Sequence, residues 1–224
     1  MSLPPKFEQD GHALFGGEGA IVGEVGKLGL FVRLKHPDLD LPCHEIRIPV
    51  AYNEAMPVAL TESELTRLMD EAQEAGIRLE VHEGLPIWEL CPSPLHTMEA
   101  ERIAQSVEPS ARPGGCGCHR FQDMAVRFPD GSIRRPDIGV FCERPAATQE
   151  ATRTLPQAVV EIVSPGSEVK DLELSPPFYL RHGVLDVVVF DPRTGEATWF
   201  WQGGQAMGQS PWRIELRCGC AVTV

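Results

Sequence analysis

The chain has 224 residues, a hydrophobic share of 42% and a formal net charge of −12. The length suits one domain, or one with an extension, and the composition supplies a real core and excludes a disordered chain. So negative a chain repels nucleic acid at long range, which argues against a general coat protein for DNA or RNA; any such partner must be held by a local basic groove, and an enzyme that touches a few phosphates is compatible with the charge.

No apolar run reaches the roughly 20 residues of a membrane span. The N-terminal stretch MSLPPKFEQDGHALFGG lacks the basic and apolar regions of a secretory signal. The expected setting is cytoplasmic, without a membrane partner. There the seven cysteines are expected as thiols or metal ligands rather than disulfides.

Residues 1–58 are rich in Gly and Pro and carry no helical periodicity. Ala20–Val25, Leu28–Leu34 and Glu45–Val50 read as short strands of an N-terminal β extension. The GEVGKLG segment invites a phosphate-loop reading. However, Ile21 stands where the first glycine belongs, and Leu28 replaces the Ser or Thr after Lys27, so a Gly-rich hairpin is expected. A helix is predicted from Thr61, which forms a capping box with Glu64, to Gly76, with Leu65, Leu68, Met69 and Ala72 on one face.

Strands are predicted at Arg78–His82 and Pro86–Leu90, then a helix from about Leu95 to Val107. Phe121–Phe128 and Ile138–Cys142 read as a hairpin around the turn PDGS, and a central strand covers LPQAVVEIVSP, residues 155–165. A short helix over Pro177–His182, strands at Leu185–Phe190 and Glu196–Trp201, and a last strand at Trp212–Leu216 complete the pattern. The order is that of a mixed α/β fold with its sheet core at 121–190.

Glu161 interrupts the apolar run Ala158, Val159, Val160, Ile162, Val163. A buried carboxylate costs several kcal/mol unless a cation or hydrogen bonds meet it. Asp137 opens the neighbouring predicted strand. If the two strands are adjacent, both carboxylates reach one end of the sheet, where a proton or a divalent cation must lie between them. Mg²⁺ takes oxygen ligands of this kind, often one or two carboxylates plus substrate phosphate. Spacing alone leaves open a second reading, in which Glu161 is paired with Arg134, Arg135 or Arg153.

At these residues the chain resembles a known family. RRPDIGVF followed by LPQAVVEIVSPGSEVKDLELSPPFYLRHGVLDVVVFDP is similar to the Uma-two family of restriction-endonuclease-like proteins, within the PD-(D/E)XK nuclease superfamily. LEVHEGLPIWELCPSPLH and CHRFQDMAVRFPDG fit the same pattern, and the resemblance covers about residues 59–201. It implies a restriction-endonuclease-like domain there, preceded by the extension and followed by a C-terminal strand and Cys-x-Cys tail over 202–224.

The resemblance also implies a metal-dependent nuclease with Mg²⁺ or Mn²⁺ on Asp137 and Glu161. His96 opens the first helix, and Glu99 is an accessory carboxylate. The implied partner is nucleic acid, DNA rather than RNA, and a homodimer is an arrangement it allows. The superfamily lysine is absent: Val163 stands two residues after Glu161, and Ser175 occupies the family's alternative place, four residues before Tyr179. Lys170, beside the family-matching Asp171, is the nearest substitute. It is placed on the loop leaving the strand, and Pro176 and Pro177 are expected to shorten the helix that follows. Weakened catalysis is therefore part of the expectation, and a non-catalytic binding or scaffold module that keeps the fold, with zinc on its cysteines, is the competing one.

Cys116-Gly117-Cys118 and Cys218-Gly219-Cys220 form a matched pair of Cys-x-Cys units that suits Zn²⁺, with His119 as an alternative ligand. Their one-residue spacing is tighter than that of the usual zinc knuckle. Cys43, Cys91 and Cys142 read as core residues, and Trp88, Trp199, Trp201 and Trp212 as packing rather than base-stacking groups.

Overall fold

The computed structural model describes residues 61–74, 77–83, 85–90, 92–110 and 116–224, together with the backbone of four strands further upstream. The chain divides into two compact units, Met1–Leu68 and Met69–Val224. In the first, β1 (His12–Leu14), β2 (Ile21–Gly26), β3 (Gly29–Leu34) and β4 (Glu45–Ile48) form an antiparallel sheet in chain order. Helix α1 (Glu62–Glu74) begins directly after Thr61, as its capping sequence predicts. The predicted stop at Gly76 and the residues Cys43 and Cys91 lie outside the described set.

The second unit holds β5 (Ile77–His82), β6 (Leu85–Leu90), α2 (Pro94–Gln105), β7 (Glu108–Pro109), β8 (His119–Gln122), β9 (Val126–Arg127), β10 (Ile133–Arg134) and β11 (Ile138–Phe141). It continues through β12 (Ala158–Ile162), a π-helical turn (Lys170–Leu174), α3 (Ser175–Arg181), β13 (Asp186–Asp191), β14 (Glu196–Trp201), β15 (Gly204–Gln209), β16 (Arg213–Glu215) and β17 (Cys220–Thr223). A mixed six-stranded sheet, ordered β15-β14-β13-β12-β11-β8, is its centre. β12 lies antiparallel to β11 and parallel to β13, so both its neighbours are strands and its apolar residues face core on both sides.

Ile138, Val140, Val160, Ile162 and Val188 pack on one face under α2 and the β16–β17 hairpin. Val159, Val163, Val187, Val189 and Phe141 pack on the other with Phe178 and Tyr179 of α3. The fold class is therefore the mixed α/β one expected.

The hairpin predicted over 121–142 is broken into two sheets. β8 and β11 pair in the central sheet, while β9 and β10 pair in a smaller sheet with β5 and β6. The corner is Asp123, at φ 52°, a conformation Asp tolerates better than most residues. Its N–H approaches the carbonyls of Pro136 and Asp137 at 3.2 and 3.3 Å. The break turns Arg134 and Arg135 away from the strand that Asp137 leads into.

A second difference concerns Lys170. It lies in a helical turn rather than on a loop, because the chain continues from Lys170 straight into α3, with Ser175 N–H donating to the Lys170 carbonyl. Pro176 and Pro177 stand in the first turn of α3, where no N–H is required of them. They therefore start the helix instead of curtailing it.

Candidate active site

Asp137 and Glu161 are direct cross-strand neighbours, in continuation of the Ile138–Val160 pair. Side chains at such positions point to the same face. Each is held by the other's strand: Asp137 N–H donates to Glu161 Oε2 at 3.2 Å, and Ile162 N–H donates to Asp137 Oδ2 at 2.8 Å. Asp137 Oδ1 lies 3.0 Å from His96 Nε2 and 3.2 Å from Arg78 Nη1. His96 comes from the first turn of α2, which Ser93 caps, and its Nδ1 lies 2.9 Å from Ser164 Oγ at the end of β12. Tyr179 of α3 donates its hydroxyl to Glu161 Oε1 at 2.8 Å. Asp137, Glu161 and His96 are all buried.

Behind this pair is a second layer of charge. Glu80 on β5 is fully buried and accepts from Arg134 Nε at 2.9 Å and from the Arg135 N–H at 2.8 Å. Arg134, also fully buried, reaches Ser175 Oγ with Nη2 at 2.7 Å and lies over the rings of Phe178 and Tyr179. Lys170 Nζ lies 3.2 Å from Asp171 Oδ1 and 4.0 Å from Glu80 Oε2. Arg78 also bonds the Arg135 carbonyl and pairs with Asp123.

The two carboxylates differ in charge state. Burial pushes Glu161 up to about 8; Lys170 opposes this, and the negative charges of Asp137, Asp171 and Glu80 add to it. Asp137 suffers burial too. The hydrogen bond from His96 and the charges of Arg78, His96 and Lys170 outweigh it and hold Asp137 below the usual range. One ionised and one protonated carboxyl side by side is an arrangement two close acids adopt when positive charge is short.

Oxygen donors short of positive charge fit a hard divalent cation. Among the described residues, no three His, Asp or Glu donors lie within 4.8 Å of one another. Asp137 and Glu161 would therefore supply two of the positions around Mg²⁺, leaving the rest to water and phosphate, as that ion usually has it.

The sequence-predicted residues Asp137, Glu161, His96 and Lys170 thus converge. Glu99 does not: it pairs with Arg102 on the surface of α2. Arg134 and Arg135 pair with Glu80 and Asp123 rather than with Glu161. Val163, two residues after Glu161, is a buried core residue. Glu80, Arg78 and Ser164 were not anticipated. β5 alternates Arg78, Glu80 and His82 with apolar residues, which reads as a solvent face, whereas Arg78 and Glu80 are buried.

The state of Glu161 has a consequence for stability. In the unfolded chain its carboxyl ionises near 4.5, and in the fold near 8. Between these values the unfolded state has released a proton that the folded state keeps. Stability of the metal-free chain therefore falls as pH rises through that window. Urea unfolding at pH 5 and pH 8 should show native protein losing several kcal/mol more than Glu161→Gln over the interval. Equal losses would mean that Glu161 is ionised in the fold at pH 5.

The cysteines cluster as well, though not as four thiols. Cys116 is bonded to Cys142 and Cys118 to Cys220, and Cys218 is a buried thiol beside them. The expectation of free thiols is corrected at these four positions. Cys142, read as a plain core residue, joins the cluster because β8 and β11 are adjacent strands and Gly117 N–H bonds the Cys142 carbonyl.

Residues 63–214 match the profile of the Uma2 family, described as "Putative restriction endonuclease". Among solved structures the chain is similar to a protein from Anabaena variabilis ATCC 29413 described as "a putative nuclease belonging to DUF820". The two share 18% identity with a TM-score of 0.49, over 69% of this chain and 88% of that one. No curated protein matches the chain.

Proposed function

The chain belongs to the Uma2 family of restriction-endonuclease-like proteins, and we propose that it hydrolyses phosphodiester bonds of nucleic acid, DNA before RNA, with Mg²⁺ or Mn²⁺ held by Asp137 and Glu161. The observation that carries this reading is the crossed pair of hydrogen bonds, Asp137 N–H to Glu161 and Ile162 N–H to Asp137. They hold two buried carboxylates on one face of the central sheet, with His96 beside Asp137. A bound cation supplies a Lewis acid on the scissile phosphate and a water of lowered pKa.

The chain's own residues set the site up for it. Arg78 and His96 keep Asp137 ionised, so one ligand is ready before metal arrives. Tyr179 orients Glu161, which gives up its proton to bind. Lys170 adds a positive charge that lowers the ionisation cost of Glu161, Asp137 and Glu80 together. It is the residue of this chain that takes the part of the absent family lysine.

Cleavage of supercoiled plasmid and of single-stranded DNA tests the reading. Native protein should nick or linearise DNA with Mg²⁺ or Mn²⁺ and not with EDTA, and Asp137→Asn should lower the rate by about 10²-fold or more. Cleavage that survives EDTA, or that Asp137→Asn leaves intact, contradicts it. A second reading, a non-catalytic binding module, is favoured by the buried Val163 and Ser175 at both lysine positions. It is the conclusion if folded protein binds Mn²⁺ and DNA without cutting.

A further inference from the structure

We propose that Cys116, Cys118, Cys142, Cys218 and Cys220 form a redox-gated site for one zinc ion, closed by disulfides when oxidised and open as a thiolate cage when reduced. The five sulfurs come from three separate segments. Cys116 and Cys118 precede β8, Cys142 follows β11, and Cys218 and Cys220 flank the turn between β16 and β17. Two sets of three, Cys116 with Cys142 and Cys218, and Cys116 with Cys118 and Cys220, each have all their sulfurs within 4.8 Å of one another. A tetrahedral site with Zn–S bonds of about 2.3 Å places its sulfurs about 3.8 Å apart, inside that limit. Cys116 belongs to both sets, so Cys116, Cys142 and Cys218 supply three corners of a cage, and the fourth sulfur comes from Cys118 or Cys220 once reduction of their disulfide frees it to move toward Cys142 and Cys218.

The backbone around the cluster is built for close approach. A side chain at Gly117 would run into the His119 ring and the Cys142 carbonyl. Cys118 and Gly219 hold φ of 46° and 91°. These tight turns bring both cysteines of each Cys-Gly-Cys unit to the same cluster. The odd count matters too. Two disulfides leave Cys218 as a buried thiol within 4.8 Å of both sulfurs of Cys116–Cys142, a placement that a pair of static cross-links does not require.

The chemistry balances with a dithiol reductant. Each disulfide accepts two electrons and two protons from one dithiol, which leaves as its own disulfide, so two equivalents yield five thiols. Binding then breaks four S–H bonds and forms four Zn–S bonds, releasing four protons. Because the site joins the edge of the central sheet to the C-terminal hairpin, its metal binding energy adds to folding energy.

The test uses the full chain in a Cys43→Ser, Cys91→Ser background, reduced with a phosphine without oxygen and titrated with Co²⁺. One equivalent should give the intense d–d absorption of a tetrahedral thiolate site, which Zn²⁺ then displaces. The oxidised chain should give none, and Cys218→Ser, whose two disulfides can still form, should weaken Co²⁺ binding at least tenfold. Chelation should lower the Tm of the reduced, zinc-loaded chain and leave that of the oxidised chain unchanged. A reduced chain that gives no thiolate absorption, or a Cys218→Ser variant that binds as tightly as the parent, overturns the proposal. A cation at Asp137 and Glu161 would show only the weak absorption of oxygen ligands, so this result is independent of the nuclease reading.

Discussion

Lys170→Ala is expected to lower metal-dependent cleavage by about 10²-fold or more, by analogy with the loss of a single transition-state donor, and to lower Tm as well, because the buried Asp171 and Glu80 lose a nearby cation. Lys170 is nearly buried, with Nζ between Asp171 and Glu80, and its charge is the largest influence offsetting the burial of Glu161 and of Glu80. Without it, Glu161 holds its proton more tightly and the developing charge on phosphate meets one cation fewer. Lys170→Arg should restore part of the rate.

Ser175→Lys, which places a lysine where the family usually has one, should not help. Ser175 is fully buried and its hydroxyl accepts from Arg134, so an ammonium there would face a guanidinium with no room to leave. Native cleavage that Lys170→Ala does not slow would move the role to another group, with His96 the first to examine.

The second large effect belongs to Arg134. Arg134→Met should destabilise the protein by about 3–5 kcal/mol, because it removes one member of a buried pair and leaves Glu80 charged in a dry interior. The raised pKa of Arg134, driven against burial by Tyr179, Glu80 and Glu161, points the same way. Thermal or urea unfolding checks it. The double variant Arg134→Met, Glu80→Leu should recover most of the loss, because replacing both partners by apolar groups is close to neutral. A single variant as stable as native would mean that Glu80 is protonated in the fold.

How much of this the sequence reveals depends on the kind of signal. The central strands are legible because runs such as Ala158–Val160 and Val187–Phe190 are apolar, as strands buried on both faces largely must be. Asp137 and Glu161 stand out as carboxylates attached to such strands, and the family resemblance adds their partner His96. The corner at Asp123 is hidden because VRF and FQ on its two sides both favour strands, and only the positive φ separates them. Glu80 and Arg78 are hidden for the opposite reason. Alternation of polar and apolar residues normally marks a solvent face, and here the polar face turns inward onto the site. The pairing of Cys142 with Cys116 follows from the adjacency of β8 and β11, which no local pattern encodes.

The central claim is that Asp137 and Glu161 together hold one divalent cation, and calorimetric titration with Mn²⁺ near pH 8 tests it most directly. Native protein is expected to bind about one equivalent, with a heat that varies with the buffer because Glu161 releases its proton on binding. Glu161→Gln and Asp137→Asn should remain folded and show no such heat. Native protein without a binding isotherm, or variants that bind as native does, would contradict the account.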